Sequence, residues 1–362
     1  MATVSKFARR FVGAAVATVS LAGLGVGSSH AHHSAAPHFD RNQPIEIEGV
    51  VTRFRFVNPH AYLYLDVTDA DGNTVEWNCE MAAASSLRRS GWNNELFEPG
   101  TFVRIDGHAA RRDPHGCAFQ MGYLEDGTTI ARNGPITRPD AAPTPGRETR
   151  DPAPVVQERT FAGLWMTTPR RRAGGGPPFG NRDRFANVIT EAGAAALAGY
   201  DDRYDDPALF CSPSSIIRGW GEPNSVSEVE ITDTTITIRH EYMDTVRTVD
   251  LTTREHPSDI EPSLVGHSVG WYEGEDLVID TIGFDAGVLL PHPGLMNSNK
   301  MHVVERLSLS DDGTQLIREY SVTDEDYLKE AVTGRSSWTR TDVPLGKYNC
   351  TELSGINNVR PQ

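Results

Sequence analysis

Positive charge is scarce in this chain. Its 34 lysines and arginines stand against 49 aspartates and glutamates, for a formal net charge of −15. Such an acidic surface repels nucleic acid and anionic lipid, which argues against both as partners. Long apolar runs are scarce too. Beyond the first 31 residues no stretch is long and apolar enough to span a bilayer. There is no His-Glu-x-x-His, no phosphate loop and no solenoid repeat, so no reaction can be read directly from a motif. What is abundant is turn-forming residues: 33 glycines and 23 prolines with 38% hydrophobic residues. That composition fills a core and favours β architecture over a helix bundle. A chain of 362 residues suits two domains with a linker.

The first 31 residues read as an export signal. Lys6, Arg9 and Arg10 precede the apolar Phe11–Val26 run, and Ser29-His30-Ala31 is a small-x-small cleavage site. A periplasmic or secreted product is expected. In that compartment four cysteines pair. If the two halves are separate domains, the pairs are Cys79–Cys117 and Cys211–Cys350. Cleavage after Ala31 would leave His32 with a free amine beside its imidazole. Together with His33, and with His60 as a further imidazole, that set suits copper or zinc. The plainer alternative is a terminal arm that carries histidines, with His60 hydrogen-bonded to a loop carbonyl.

Alternating segments at Ile45–Phe56 and Ala61–Thr68, the turn Asp69-Ala70-Asp71-Gly72-Asn73 and the return strand Thr74–Cys79 predict a β unit. A short helix over Ala82–Ser90 and a strand at Phe102–Gly107 follow. That order is the order of a small OB-like barrel, expected over 32–132. Prolines deny regular structure to a linker at 133–160, and Arg170–Asn181 reads as a mobile loop. A second β domain is expected over 161–356, with a tail at 357–362. Its segments include Val226–Ile231, Thr235–Tyr242, Thr245–Leu251, Leu264–Trp271, Asp276–Ile282, His302–Leu309 and Thr314–Val322. About eight antiparallel strands in simple succession predict a meander, closed as a lipocalin-like barrel or folded as a sandwich. The fold class is therefore mainly β.

Strand periodicity also selects candidate site residues. His240, Arg247, His267, Asp280, Glu305 and Arg318 each share phase with apolar neighbours, so all six are expected to face inward. A buried charge needs a partner. Two readings stand. One is a polar pocket in which arginine grips a carboxylate or phosphate; the other is a structural ion-pair network. His256, His292 and His302 lie on or beside loops and read as exposed. His267-Ser268 is only a dipeptide and supports no nucleophile.

Several short motifs resemble a family of exported proteobacterial domains of unknown function. They are His32-His33-Ser34, Asn58-Pro59-His60, Asp69-Ala70-Asp71-Gly72, Trp77, Leu87 with Gly91-Trp92, and Pro99-Gly100, across Ala31–Ala131. The second half resembles a companion domain through Gly266-His267-Ser268, Trp271-Tyr272-Glu273-Gly274, Asp276–Thr281 and Val304-Glu305-Arg306. The resemblance implies export, a β fold and two domains, and assigns no catalytic residue. Three functions follow as expectations. The first is a small-ligand binder with copper or zinc at the N-terminal histidines. The second is an enzyme on a small polar or amphipathic substrate, with Glu305 or His267 as acid or base. The third is an accessory subunit of an envelope complex.

Overall fold

A computed structural model describes residues 38–132, 136–139, 159–167, 185, 187–222, 224–291 and 294–352. The expected signal peptide, His32, His33, His292, the Arg170–Asn181 stretch and the tail lie outside them, as does most of 133–160. Among the described residues no helix is long and apolar enough to cross a membrane.

The N-terminal part runs β1 (Phe39–Arg55), β2 (Tyr62–Thr68), β3 (Thr74–Glu80), α1 (Ala84–Arg89), β4 (Phe102–Ala110), β5 (Gly116–Leu124), β6 (Thr129–Ala131) and β7 (Ile136–Thr137). Asp69 makes the β2–β3 turn. Its Oδ1 accepts from the backbone N–H of Asp71 and of Asn73, both at 2.9 Å, while Gly72 takes the left-handed conformation that glycine adopts without penalty. β1 is long enough to serve two partners. Its first half pairs with β4 and its second half with β2. The sheet curls until β3 meets β5 in parallel, so β1, β2, β3, β5 and β4 form the expected OB-like ring. Cys79 and Cys117 face each other in that pairing and are disulfide-bonded. Inside lie Leu63, Leu65, Trp92, Phe97, Ile105 and Phe119, all nearly solvent-free. The sheet continues through β7, past the expected boundary at 132.

The second part is a closed barrel. After β8 (Gly163–Thr167) come the short helices α2 (Glu191–Leu197), α3 (Asp202–Asp205) and α4 (Ile216–Gly219). Then follow β9 (Val226–Ile231), β10 (Thr235–His240), β11 (Val246–Asp250), β12 (His267–Glu273) and β13 (Asp276–Ile282). A hairpin of β14 (Gly287–Leu290) and β15 (Leu295–Asn297) precedes β16 (Met301–Leu309), β17 (Gln315–Asp324) and β18 (Val332–Arg340). Nine of these strands close in the order β10-β11-β12-β13-β16-β17-β18-β8-β9. The expected simple succession of antiparallel strands needs two corrections. β11 and β12 are parallel, because residues 251–266 cross the outside of the wall between them. β8 closes the ring between β18 and β9, far from its sequence neighbours on one side.

A C-terminal strap joins the two parts. Cys350, disulfide-bonded to Cys211, forms a parallel bridge with Asn58, and the Thr351 N–H donates to the Asn58 carbonyl at 2.8 Å. The buried Asn58 side chain donates to the Tyr348 carbonyl and accepts from the Ser85 N–H at 3.0 Å. Nearby, Arg89 of α1 pairs with the buried Glu241. Each buried hydrogen-bonding group left without a partner costs about 1–3 kcal/mol. Asn58→Ala orphans both the Tyr348 carbonyl and the Ser85 N–H. It is expected to lower unfolding free energy by about 2–4 kcal/mol in urea titration; an unchanged midpoint would remove Asn58 from the seam.

Candidate functional site

The barrel lumen carries its charge in one layer. Arg247 on β11, Glu305 on β16 and Arg318 on β17 are all at most 2% exposed. Glu305 Oε2 accepts from Arg247 Nη1 at 2.5 Å, and Oε1 accepts from Arg318 Nε at 2.6 Å. Local pattern puts them there. Each alternates with residues packed in the lumen: Val249 beside Arg247, Val303 and Leu307 beside Glu305, Leu316 and Val322 beside Arg318. The lumen position on β12 beside Val249 is Gly270, where a Cβ would stand 2.7 Å from Val249 Cγ1 and 3.3 Å from Leu251 Cδ2. Burial works against ionising Glu305, but the two guanidiniums outweigh it and hold its carboxyl below the usual range.

His240 completes the layer. Its Nδ1 is 2.8 Å from Ser227 Oγ, and its ring meets Trp220 edge-on at 4.7 Å. Burial first, then Arg247 and Arg318, push its pKa down to about 3, so the imidazole is neutral. Trp220 follows α4 and plugs this part of the lumen. It packs 4.5 Å from Trp338, whose Nε1 donates to the Trp220 carbonyl at 3.0 Å. Arg318 also lies 4.7 Å from the Tyr320 ring centroid and 5.8 Å from that of Trp220.

Two cations against one carboxylate leave an excess positive charge. Arg247 Nε and Nη2, Arg318 Nη2, Trp220 Nε1 and Ser336 Oγ are all buried without a hydrogen-bond partner among the described residues. Every one of these atoms can donate. A compact oxyanion is the chemical complement of that set.

His267 and Asp280 need correction, because they do not face the lumen. Ile279 and Thr281 sit directly opposite Glu305 and Val303 across the β13–β16 pairing, so Asp280 between them points outward. His267 likewise alternates with Ser268, which bonds Thr281 from within at 2.9 Å. The phase was ambiguous because both faces of this wall are covered. Residues 251–266 lie over it, and the outward Val269 and Val278 are as buried as lumen residues.

Under that cover Asp280 gathers imidazoles. His256 Nε2 is 2.9 Å from Oδ1, and His302 Nε2 is 2.9 and 2.8 Å from the two carboxylate oxygens. His256 Nδ1 lies 2.9 Å from His267 Nδ1. A carboxylate only accepts, so both Nε2 atoms carry hydrogen, and the His256–His267 contact takes one hydrogen between its two Nδ1 atoms. The bond to Asp280 raises the His302 pKa. Partial burial pushes Asp280 up, and the hydrogen bonds from His302 and His256 outweigh it and bring it below the usual range. His256 and His302 were expected to be exposed; each is bound to Asp280.

Gly266-His267-Ser268-Val269-Gly270 has the spacing of a nucleophile elbow, which the dipeptide reading overlooks. Ser268 nevertheless sits within β12, buried and bonded to Thr281, with no strand-to-helix turn to expose it. His60 is buried, and its Nδ1 donates to the Met81 carbonyl at 2.9 Å with Glu80 at 3.4 Å. Among the described residues no group of three or more His, Cys, Asp or Glu side chains is placed to hold a metal ion.

Two outcomes test the layer. Glu305→Gln leaves two guanidiniums without a counter-charge and is expected to cost about 3–5 kcal/mol in denaturant unfolding. A cost under about 1 kcal/mol would mean the layer is hydrated. His240 tests the electrostatics. The unfolded imidazole takes up a proton near pH 6.5 and the folded one only near 3. Between these values the unfolded chain binds more protons, so stability falls as pH falls. Glu305 acts in the same direction but only below its ordinary 4.5. His302 has the opposite sign, stabilising below 6.5 and losing that contribution as pH rises through its raised pKa. His240→Gln should therefore flatten the fall in melting temperature between pH 6.5 and 4.5; an unaltered slope would exclude His240 as its source.

No curated protein matches the chain in sequence. Among solved structures, the REP1-NXSQ fatty acid transporter is 12% identical over 51% of this chain and 97% of its own, with a TM-score of 0.25. A mutant of the fluorescent protein UnaG is 15% identical over the same shares, with a TM-score of 0.22. Residues 19–118 match the family described as "Family of unknown function (DUF6152)", a segment that ends in β5, before the nine-stranded barrel begins.

Proposed function

We propose that this is an exported binding protein whose nine-stranded barrel takes up a compact anion, such as a carboxylate, between Arg247 and Arg318. The observation that carries the reading is the set of buried donors without acceptors, gathered where two guanidiniums share one carboxylate. A dry guanidinium N–H without an acceptor is costly, and an oxyanion that accepts from several of them recovers that cost. Ser336, opposite Arg318 across the β17–β18 pairing, and Trp220, whose ring lies 5.8 Å from Arg318, carry neutral donors. Export is supported by the two disulfides, which persist in oxidising compartments.

The enzyme reading has less support. Both Glu305 oxygens are occupied by arginine and its carboxyl is held ionised, which suits an anchor better than a proton donor. His267 lies on the other side of the wall. A purely structural network is the second reading, favoured by the completeness of the two Glu305 contacts.

Tryptophan fluorescence separates the two, because Trp220 and Trp338 adjoin the layer. Acetate, titrated against sodium chloride at matched ionic strength, should give a saturable change. Arg318→Met should weaken it about tenfold or more, the worth of a charge-assisted hydrogen bond. No saturable response from the folded wild-type protein would leave the structural network standing.

A further inference from the structure

A cavity lies away from the charged layer. Its volume is about 170 Å³, and it opens between the Ser212–Ser215 segment, the β14–β15 hairpin and the start of β16. Phe284, Met301 and Leu264 supply apolar walls. Phe284 and Met301 are almost completely buried. Ser214 also lines the cavity. It is 8% exposed, and its Oγ is buried without a hydrogen-bond partner. Asn297, another lining residue, spends its amide N–H groups on the carbonyls of Asp285 and Ser298 at 2.8 and 3.1 Å. That orientation leaves its Oδ1 as the atom to accept.

We propose that this cavity binds a small, neutral, ring-sized molecule bearing one hydroxyl group. Size sets the first limit. An apolar cavity of about 150 Å³ holds benzene, whereas drug-sized ligands need about 300 Å³ or more. Polarity sets the second. One hydroxyl can donate to Asn297 Oδ1 or accept from Ser214 Oγ, so the orphaned group gains a partner. Charge sets the third. Asp285 stands at the exposed rim and disfavours an anion, so the ligand differs in class from that of the barrel layer. The walls are also held in place before any ligand arrives. Cys211, next to the Ser212–Ser215 segment, is disulfide-bonded to Cys350, and Ser215 Oγ donates to the Leu289 carbonyl of β14 at 2.8 Å. A site fixed beforehand loses little conformational entropy on binding.

The test uses phenol and benzene as probes, followed by ligand-observed NMR and calorimetry on the full folded chain. Phenol should bind saturably and more tightly than benzene. Ser214→Ala should weaken phenol about five- to tenfold and leave benzene unchanged, the loss expected for one neutral hydrogen bond. Ala286→Trp, at the exposed rim, should abolish binding of both without touching the buried walls. Saturating acetate should leave the phenol affinity of the wild-type chain as it is, which keeps this site separate from the anion layer. Phenol binding that survives Ala286→Trp, or that is no tighter than benzene binding, would overturn the proposal. So would an absence of saturable binding by either probe to the folded wild-type chain.

Discussion

Glu305 between Arg247 and Arg318 is the constraint on which the barrel depends. Three charges out of water are tolerable only while each keeps its partner, so the strands that carry them must hold their register. A one-residue slip of β16 would send Glu305 to the outside and leave two arginines facing each other in the lumen. The layer therefore helps to specify the pairing of β16 with β13 and β17. Its surroundings follow from the same demand. Trp220 and Tyr320 lay aromatic faces beside Arg318, and burial together with the two guanidiniums keeps His240 neutral.

The covering segment at 251–266 has a comparable effect on the opposite face of the wall. Its crossing lets β11 and β12 lie parallel, buries Val269 and Val278 from outside, and brings His256 onto Asp280. One short stretch of wall thus carries two polar clusters, back to back, separated by the thickness of a single sheet. The lumen cluster is buried, and its arginines hold Glu305 ionised. The outer one gathers His256 and His302 on Asp280, whose bond raises the His302 pKa.

Much of this was legible in the sequence, and the reasons are specific. β9 and β13 were placed at Val226–Ile231 and Asp276–Ile282, β13 as a short apolar run that starts at the Glu273-Gly274-Glu275-Asp276 turn. The OB-like ring followed from strand order alone, and the disulfide pairs from the division of the chain. Arg247, Glu305 and Arg318 could be assigned inward because one phase of their strands is apolar and the other polar. Leu277-Val278-Ile279 is apolar in both phases, so nothing local says which side Asp280 takes. Trp220 and Ser336 gave no signal, since one follows a four-residue helix and the other sits on a strand whose outline the pattern does not reveal. The charged layer was legible, and the plug that covers it was not.

The strap from Tyr348 to Thr351 carries a consequence for how the chain is assembled. Asn58 meets its acceptor 290 residues later in sequence, and β8 cannot join β18 until Val332–Arg340 exists. Contacts so distant in sequence form late, after the entropy of closing a very long loop has been overcome. During synthesis the Asn58 Oδ1 can accept from the Ser85 N–H as soon as α1 is made, while its amide N–H waits for the Tyr348 carbonyl. The seam between the OB-like ring and the barrel therefore closes only after the strands of both have been made.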